Sequence, residues 1–345
     1  MNSVKIAVVG ASGYSGEELV RLLIHHPGVD LVALTSRQQA GQRLDAVYPR
    51  FRGQRYADLL FVESSIEAIV GSGATVVFLA LPHGVATEFA KPLVAAGLRV
   101  IDLSADFRIK NPAVYEEFYG ETHHAPELAA LSVYGMPEIY REKIRTAQLV
   151  ASPGCYPTSI ILPLHPLLRA RLVDPATVII NSMSGVSGAG RTAKTEYLYA
   201  ECNESVRAYG VPKHRHLAEI EQELGLAWGE PVTVSFQPHL IPVTRGIHTT
   251  IVASLAPGAA PAQIGETLAE AYANEPFVRL AREPLFVDTK HVTGTNFCDI
   301  AWRIDPRTGR VVILSAEDNL VKGAAGQAVQ SLNIMCGWPE TTALL

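Results

Sequence analysis

The chain is poor in cysteine. Cys155, Cys202, Cys298 and Cys336 lie far apart and form no CxxC pair. That spacing excludes a zinc cluster and a disulfide framework, and the reduced thiols of a cytoplasmic protein fit it best. No apolar run reaches the ~18 uncharged residues that a membrane helix needs. The opening MNSVKIAVVG enters a strand and a glycine turn at once, without the basic region and long apolar stretch of a signal peptide. No basic block occurs and the net charge is -5, so the electrostatic footprint of a nucleic-acid binder is missing. Repeats and low-complexity tracts are absent too. Charged residues make up 18% and hydrophobic ones 48% of 345 residues, which excludes a disordered chain. At ~150 residues per domain, about two domains are expected.

What is present is a β-α-β rhythm in the first half. Apolar runs at Val4 to Val9, Leu31 to Thr35, Val76 to Leu81 and Val100 to Leu103 read as buried strands. Helical patterns at Glu17 to His26 and Ala86 to Ala96 lie between them, closed by Pro27 and Gly97. This predicts a doubly wound parallel sheet with right-handed crossovers. After about residue 150 the pattern turns β-rich: Thr177 to Ser182, Val232 to Phe236, Ile247 to Leu255, Phe297 to Ile304 and Val311 to Ser315. A second domain with a mixed sheet follows. Thr158 to Leu172 reads as a helix that Pro163 and Pro166 should kink or break. Asn319 to Ile334 is the last helical element, and its periodicity does not say which domain it packs on.

The segment Gly10-Ala11-Ser12-Gly13-Tyr14-Ser15-Gly16 links the first strand to the first helix. Glycines there let the backbone turn sharply and approach a pyrophosphate on the helix N-terminus. The alternative is a tight turn that binds nothing. Asp30 lies at the usual distance for a ribose ligand but precedes the second strand, so it sits at the wrong end. The strand's carboxyl end reads Thr35-Ser36-Arg37. A hydroxyl beside a guanidinium suits a 2′-phosphate, which points to NADP over NAD. The alternative for Arg37 is a solvated surface residue.

Chemistry concentrates in Ser152-Pro153-Gly154-Cys155-Tyr156-Pro157-Thr158. Pro and Gly force a turn, and a helix starts just after Cys155. A thiol at a helix N-terminus is favoured as thiolate, a strong nucleophile that holds an acyl group as a thioester. Cys298 and Cys336 read as buried or incidental. His214-Arg215-His216 precedes a helix at Leu217. Histidines two apart do not share a helix face, so one would meet the thiol and the other a substrate group. The alternative is a solvated cluster. Ser184-Gly185-Val186-Ser187-Gly188-Ala189-Gly190-Arg191 offers backbone N–H groups for an anion or oxyanion. Ser104-Ala105-Asp106-Phe107-Arg108 follows the fourth strand, where Arg108 could hold a phosphate or simply pair with Asp106.

Taken in order, GASGYSG, LTSRQQAG, DLSADFR, SPGCYPTS, SGVSGAGR, AYGVPKHRHLAEI, PHLIPVTRG and DNLVKGAAGQAVQ resemble the N-acetyl-gamma-glutamyl-phosphate reductase family, from about residue 4 to residue 335. Ser159 departs from the expected Gly or Ala. The resemblance implies a Rossmann-type NADP-binding domain over 1–150 plus 316–345, and an α+β catalytic and oligomerisation domain over 151–315. It implies the fold of aspartate-semialdehyde dehydrogenases and, more distantly, glyceraldehyde-3-phosphate dehydrogenases. It returns the last helix to the first domain and puts Asn319 near the nicotinamide. It implies a small acyl-phosphate substrate, no metal, and a homodimer or homotetramer built by sheet contacts. The implied reaction is NADPH-dependent reduction of N-acetyl-L-glutamyl 5-phosphate in arginine biosynthesis. Cys155 would be the nucleophile, His216 the first choice of general acid, with His214 orienting substrate. Which histidine is the acid stays open. Arg108 would hold the phosphate, and the Ser184 to Arg191 loop would shape the acyl pocket. Rivals keep the chemistry on an aminoadipyl or aspartyl phosphate. A non-catalytic NADP sensor is the rival of another class, and it would need neither Cys155 nor the histidine pair.

Overall fold

The structure is a computed structural model and describes residues 3–345. Contacts divide it into two units: 3–113 with Glu121–Pro153 and Ala324–Leu345, and Val114–Gly120 with Gly154–Gly323. The chain therefore returns to the first unit at Ala324, not at 316, and Val114–Gly120 joins the second.

In the first unit seven parallel strands line up as β3-β2-β1-β4-β5-β7-β6. They are β1 (Val4–Val9), β2 (Val29–Thr35), β3 (Phe61–Val62), β4 (Val76–Leu79), β5 (Arg99–Asp102), β6 (Val133–Tyr134) and β7 (Leu149–Ala151). The centres of β1 and β4 are buried throughout, as parallel strands covered on both faces should be. The order reverses between β1 and β4, the switch point at which such sheets bind ligands. The first helix, α1 (Tyr14–Ile24), starts three residues before the expected Glu17. Gly13 already has the extended conformation of an N-cap, φ -79 and ψ 170. Helix α2 (Ala86–Ala95) follows β4. In the same unit α3 (Pro137–Thr146) packs on α7 (Gly326–Cys336), which also touches α1.

The second unit is a mixed sheet ordered β12-β13-β14-β11-β8-β10-β9. Its strands are β8 (Ile179–Gly185), β9 (Arg207–Ala208), β10 (Ser235–Ile241), β11 (Ile247–Ser254), β12 (Val278–Leu280), β13 (Cys298–Ile304) and β14 (Arg310–Glu317). Helices α4 (Cys155–Arg169), α5 (His216–Trp228) and α6 (Pro261–Tyr272) belong to it. Helix α4 packs on α5, α6, β11 and β14.

The expected break in α4 does not occur: the helix runs through Pro163 and Pro166. Each interior proline costs ~3 kcal/mol. Burying Ile160, Ile161, Leu162, Leu164, Leu167 and Leu168 offsets that cost, since each such side chain gains about 1.5–3 kcal/mol. Ser159, the departure noted above, is fully buried and its hydroxyl meets Thr249 Oγ1 at 2.8 Å. Thr249 in turn meets Ser182 Oγ at 2.8 Å, so a hydroxyl chain joins α4 to the sheet. The expected helix from Asn319 also differs. Asp318 Oδ1 accepts from Leu320 N and Val321 N, a π-helical turn spans Val321–Ala325, and α7 begins at Gly326.

Candidate active site

In the first unit the glycine turn is packed tightly against the chain's own backbone. Gly10 sits at φ +81, and a Cβ there would stand 2.4 Å from the Ala80 carbonyl oxygen. A Cβ on Gly16 would stand 2.3 Å from the Gly10 oxygen, so both positions require glycine. Gly13 differs: the nearest atom to its Cβ would be 3.6 Å away. No side chain caps α1 at Gly13, which leaves the first turn open to an anion. Ser12 Oγ lies 2.9 Å from Ser36 Oγ, bridging the turn to the end of β2. Ser36 Oγ also accepts from the amides of Gln38 and Gln39. Tyr14 and Ser15 open α1, and Arg37 is exposed beside Ser36. Asp30 lies at the start of β2 and accepts from Tyr56 Oη at 3.1 Å, away from the β1–α1 turn. A dinucleotide fits these residues.

Arg108 and its loop are buried. Ser104, Asp106 and Arg108 are at most 6% exposed. Arg108 donates from Nε to the Ser152 carbonyl at 2.7 Å and from Nη2 to the Leu103 carbonyl at 2.8 Å. Asp106 accepts from Gly84 N and Thr87 N, and Ser104 Oγ donates to Asp102 Oδ2. Burial, with Asp106 beside it, pushes the Asp102 carboxyl up to about 7.

In the second unit Cys155 and His216 each open a helix, α4 and α5, and these two helices pack together. A Cβ on Gly154 would stand 2.6 Å from His216 Nε2, so glycine brings the imidazole against the residue before Cys155. One turn further along α5, Glu219 is fully buried and its Oε1 accepts from Gly154 N at 2.8 Å. Behind Cys155 lies the π-helical turn, where a Cβ on Gly323 would come within 2.9 Å of Cys155 Cβ. The sulfur sits at the positive end of the α4 dipole, which suits a thiolate.

His214 serves differently. Its Nδ1 accepts from the His216 amide at 3.1 Å, so the ring proton sits on Nε2. Tyr156, Tyr209, Phe236 and His216 surround the ring edge-on. Burial, with the Arg215 charge beside it, pushes this imidazole down to about 4. A histidine lowered on folding supports the fold fully above its ordinary value of about 6.5 and loses that support as pH falls toward 4. His214 is accordingly expected to stay neutral from pH 8 to about 5. Its imidazole carbon-bound proton resonances should not move over that range, and a midpoint above about 6 would contradict the burial argument.

These groups line a cavity of about 530 Å³ contained in the second unit. Cys155, Tyr156, Ser184, Gly188, His214 and His216 form part of the wall. Lys194, Tyr197, Arg207, Tyr209, Lys213 and Arg215 complete much of the rest. In the sequence Arg215 stands out only as part of the histidine cluster, and Lys194, Tyr197 and Arg207 carry no motif of their own. A concentration of cations between Arg191 and Arg215 was the signal for them.

The glycine loop is less of an amide cradle than expected. The N–H groups of Gly185, Val186 and Ser187 donate to the carbonyls of Gly246, Val243 and Thr244. Only Gly188 and Ala189 of that run, with the Ser184 side chain, reach the cavity wall. Arg191 lies exposed at the loop's end. Asn319 is buried: Oδ1 accepts from Gly246 N and Nδ2 donates to Ser187 Oγ. Its placement with the first domain is corrected accordingly, because its side chain clamps the β8 loop of the second unit. Cys298 is buried in β13, as expected, and Cys336 ends α7 half-buried with burial raising its thiol.

Residues 5–147 match the family model described as semialdehyde dehydrogenase, NAD binding domain. Residues 155–319 match semialdehyde dehydrogenase, dimerisation domain. An N-acetyl-gamma-glutamyl-phosphate reductase from Akkermansia muciniphila is 60% identical, covering 100% of this chain and 99% of the relative. The same-named protein of Geobacter metallireducens is 53% identical, covering 99% and 98%. The chain belongs to the N-acetyl-gamma-glutamyl-phosphate reductase family, within the semialdehyde dehydrogenases. It is thus an oxidoreductase with a nicotinamide dinucleotide-binding domain. Solved structures share the fold. Aspartate semialdehyde dehydrogenase II of Vibrio cholerae, complexed with ASA, superposes with a TM-score of 0.73 at 18% identity, covering 98% of this chain and 99% of that one. The Candida albicans aspartate semialdehyde dehydrogenase with NADP gives 0.70 at 18%, covering 97% and 99%.

Proposed function

We propose that the chain reduces N-acetyl-L-glutamyl 5-phosphate to N-acetyl-L-glutamate 5-semialdehyde and phosphate with NADPH, in arginine biosynthesis. One observation carries the reading: a cysteine at a helix N-terminus, with an imidazole packed against the preceding glycine, inside a cation-lined cavity. Cys155 Sγ attacks the acyl carbon, the bond to phosphate breaks, and a thioester forms. NADPH held at the glycine turn would supply the hydride, while Cys155 holds the acyl group in place as it is reduced. His216 protonates the developing oxygen or sulfur, and the C–S bond then breaks to release the aldehyde. The neutral Nε2–H of His214 is suited to orienting substrate rather than to supplying a proton. Arg108 remains our choice for the phosphate, its contacts to the Ser152 and Leu103 carbonyls steadying the loop. Ser184 shapes the acyl end, Gly185 and Arg191 belong to the loop that carries it, and Asn319 steadies that loop.

The cofactor grip falls to Gly10, Ser12, Gly13, Tyr14, Ser15 and Gly16, with Ser36 and Arg37 at the 2′-phosphate. No helix among the described residues is long and apolar enough to cross a membrane. We place the protein in the cytoplasm as a homodimer or homotetramer. The open face of the second sheet supports that assembly. Ile179, Val252 and Val312 stand in register across β8, β11 and β14, and Ile179 is 40% exposed.

The test runs the reaction backwards on purified protein. Nicotinamide reduction is followed with N-acetylglutamate semialdehyde, aspartate semialdehyde and the acetylated aminoadipate analogue, with and without phosphate, on NADP⁺ and NAD⁺. Phosphate-dependent turnover of the first substrate with NADP⁺ is expected. Turnover of the longer analogue alone would move the enzyme to lysine synthesis, and silence on all three would leave a sensor.

A further inference from the structure

The cavity wall that holds the catalytic residues also includes residues to which the chemistry described so far gives no role. Among them, Arg207 sits on β9, a two-residue edge strand that pairs antiparallel with β10. Register places Arg207 opposite Leu240, and Leu240 opposite Ser184 on β8. All three line the cavity. Tyr156, the neighbour of Cys155, meets the Tyr209 hydroxyl at 2.9 Å, two residues along the chain from Arg207. Two strand spacings, roughly 10 Å, therefore separate the backbone at Ser184 from that at Arg207.

The Arg207 guanidinium is only lightly held. Its Nη2 donates to the Glu196 carbonyl at 3.3 Å, and its carbon lies 5.7 Å from the Tyr197 ring centroid. Nε and Nη1 meet no acceptor among the described residues, which leaves both nitrogens for a ligand. Lys194 Nζ lies 5.7 Å from the same ring, so Tyr197 carries a cation on each flank. Lys213, by contrast, is taken by Glu117 at 2.9 Å and covers the Phe118 ring.

We infer that Arg207, assisted by Lys194, binds the α-carboxylate of the substrate. The inference rests on the acetylglutamyl reading above. With the acyl carbon at Cys155, the far end of the glutamyl chain is a carboxylate roughly 5 Å away along the carbon chain. A long guanidinium side chain reaching in from β9 closes the remaining distance. The fork of an arginine matches a carboxylate in geometry as well as charge. The subsite sets substrate length: an aspartyl chain falls short of it, and an aminoadipyl chain overshoots.

The experiment compares N-acetylglutamate semialdehyde with its decarboxylated analogue, acetamidobutanal, in the phosphate-dependent reverse reaction. Wild-type enzyme, Arg207→Ala and Arg207→Lys are assayed. Wild type should favour the carboxylate substrate roughly 10- to 100-fold in kcat/KM. Arg207→Ala should remove that preference, mainly through KM, with little change on the analogue. Arg207→Lys should recover part of it, since charge is kept and the fork is lost. Arg207 is exposed, so both variants should melt with wild type. Equal losses on both substrates, or no loss on either, would overturn the assignment while leaving the function intact. A wild type that turns over neither substrate would overturn the function and the subsite with it.

Discussion

Serine in place of Cys155 is expected to cut turnover by at least ~10³-fold while nicotinamide dinucleotide binding survives. The change exchanges one atom at the first residue of α4, where the side chain is only partly buried. Gly154, Glu219 and Gly323, which fix the backbone around it, keep their contacts, so folding should be unaffected. The hydroxyl is a far weaker nucleophile than a thiolate at the same helix end and forms an ester in place of a thioester. Three measurements check this: steady-state turnover, cofactor titration by fluorescence, and trapping of an acyl adduct on Cys155 by mass spectrometry in the wild type. Retention of more than about a tenth of the wild-type rate would remove Cys155 from the nucleophile role.

Alanine at His216 should lower kcat by about 10²- to 10⁴-fold, the usual range for a lost general acid. His216 is the imidazole whose Nε2 would meet a Cβ on Gly154 at 2.6 Å, so it abuts the nucleophile's turn. Acylation can still proceed where the thiolate is preformed, so the loss should fall mostly on the steps after thioester formation. A pre-steady-state assay would then show the thioester accumulating. His214→Ala should act otherwise. It removes the acceptor of the His216 amide and one ring of the aromatic cluster, so KM should rise along with any fall in kcat. A loss below tenfold for His216→Ala, with a larger one for His214→Ala, would exchange the two roles.

The β-α rhythm and the change to β-rich sequence after residue 150 were legible because period and burial are encoded locally. Ile6, Ala7, Val8 and Val9, like Val76–Leu79, are apolar throughout and became the buried centre of a parallel sheet. The short strands β3, β9 and β12 were not legible, since two or three residues carry no period and pairing with a neighbour defines them. The proline-bearing α4 went the other way: local propensity argued for a break, and burial on the second sheet outweighed it.

The site divides along the same line. Cys155, the histidine pair and the glycine turn announce themselves because each needs a particular residue type at a particular local conformation. Sequence alone thus determined the two-part architecture and the family, and it singled out Cys155 and the glycine turn as candidates. Tertiary structure decided that Gly185 to Ser187 give their amides to the 243–246 turn, that Asn319 clamps a loop of the second unit, and that Arg108 is anchored on backbone carbonyls. It also decided that His214 is a neutral acceptor and that Arg207 shares a cavity with Cys155. The physical reason is common to all of these. A hydrogen bond or a charge acts through whatever lies within a few ångströms, and for these residues the deciding partners come from distant parts of the chain.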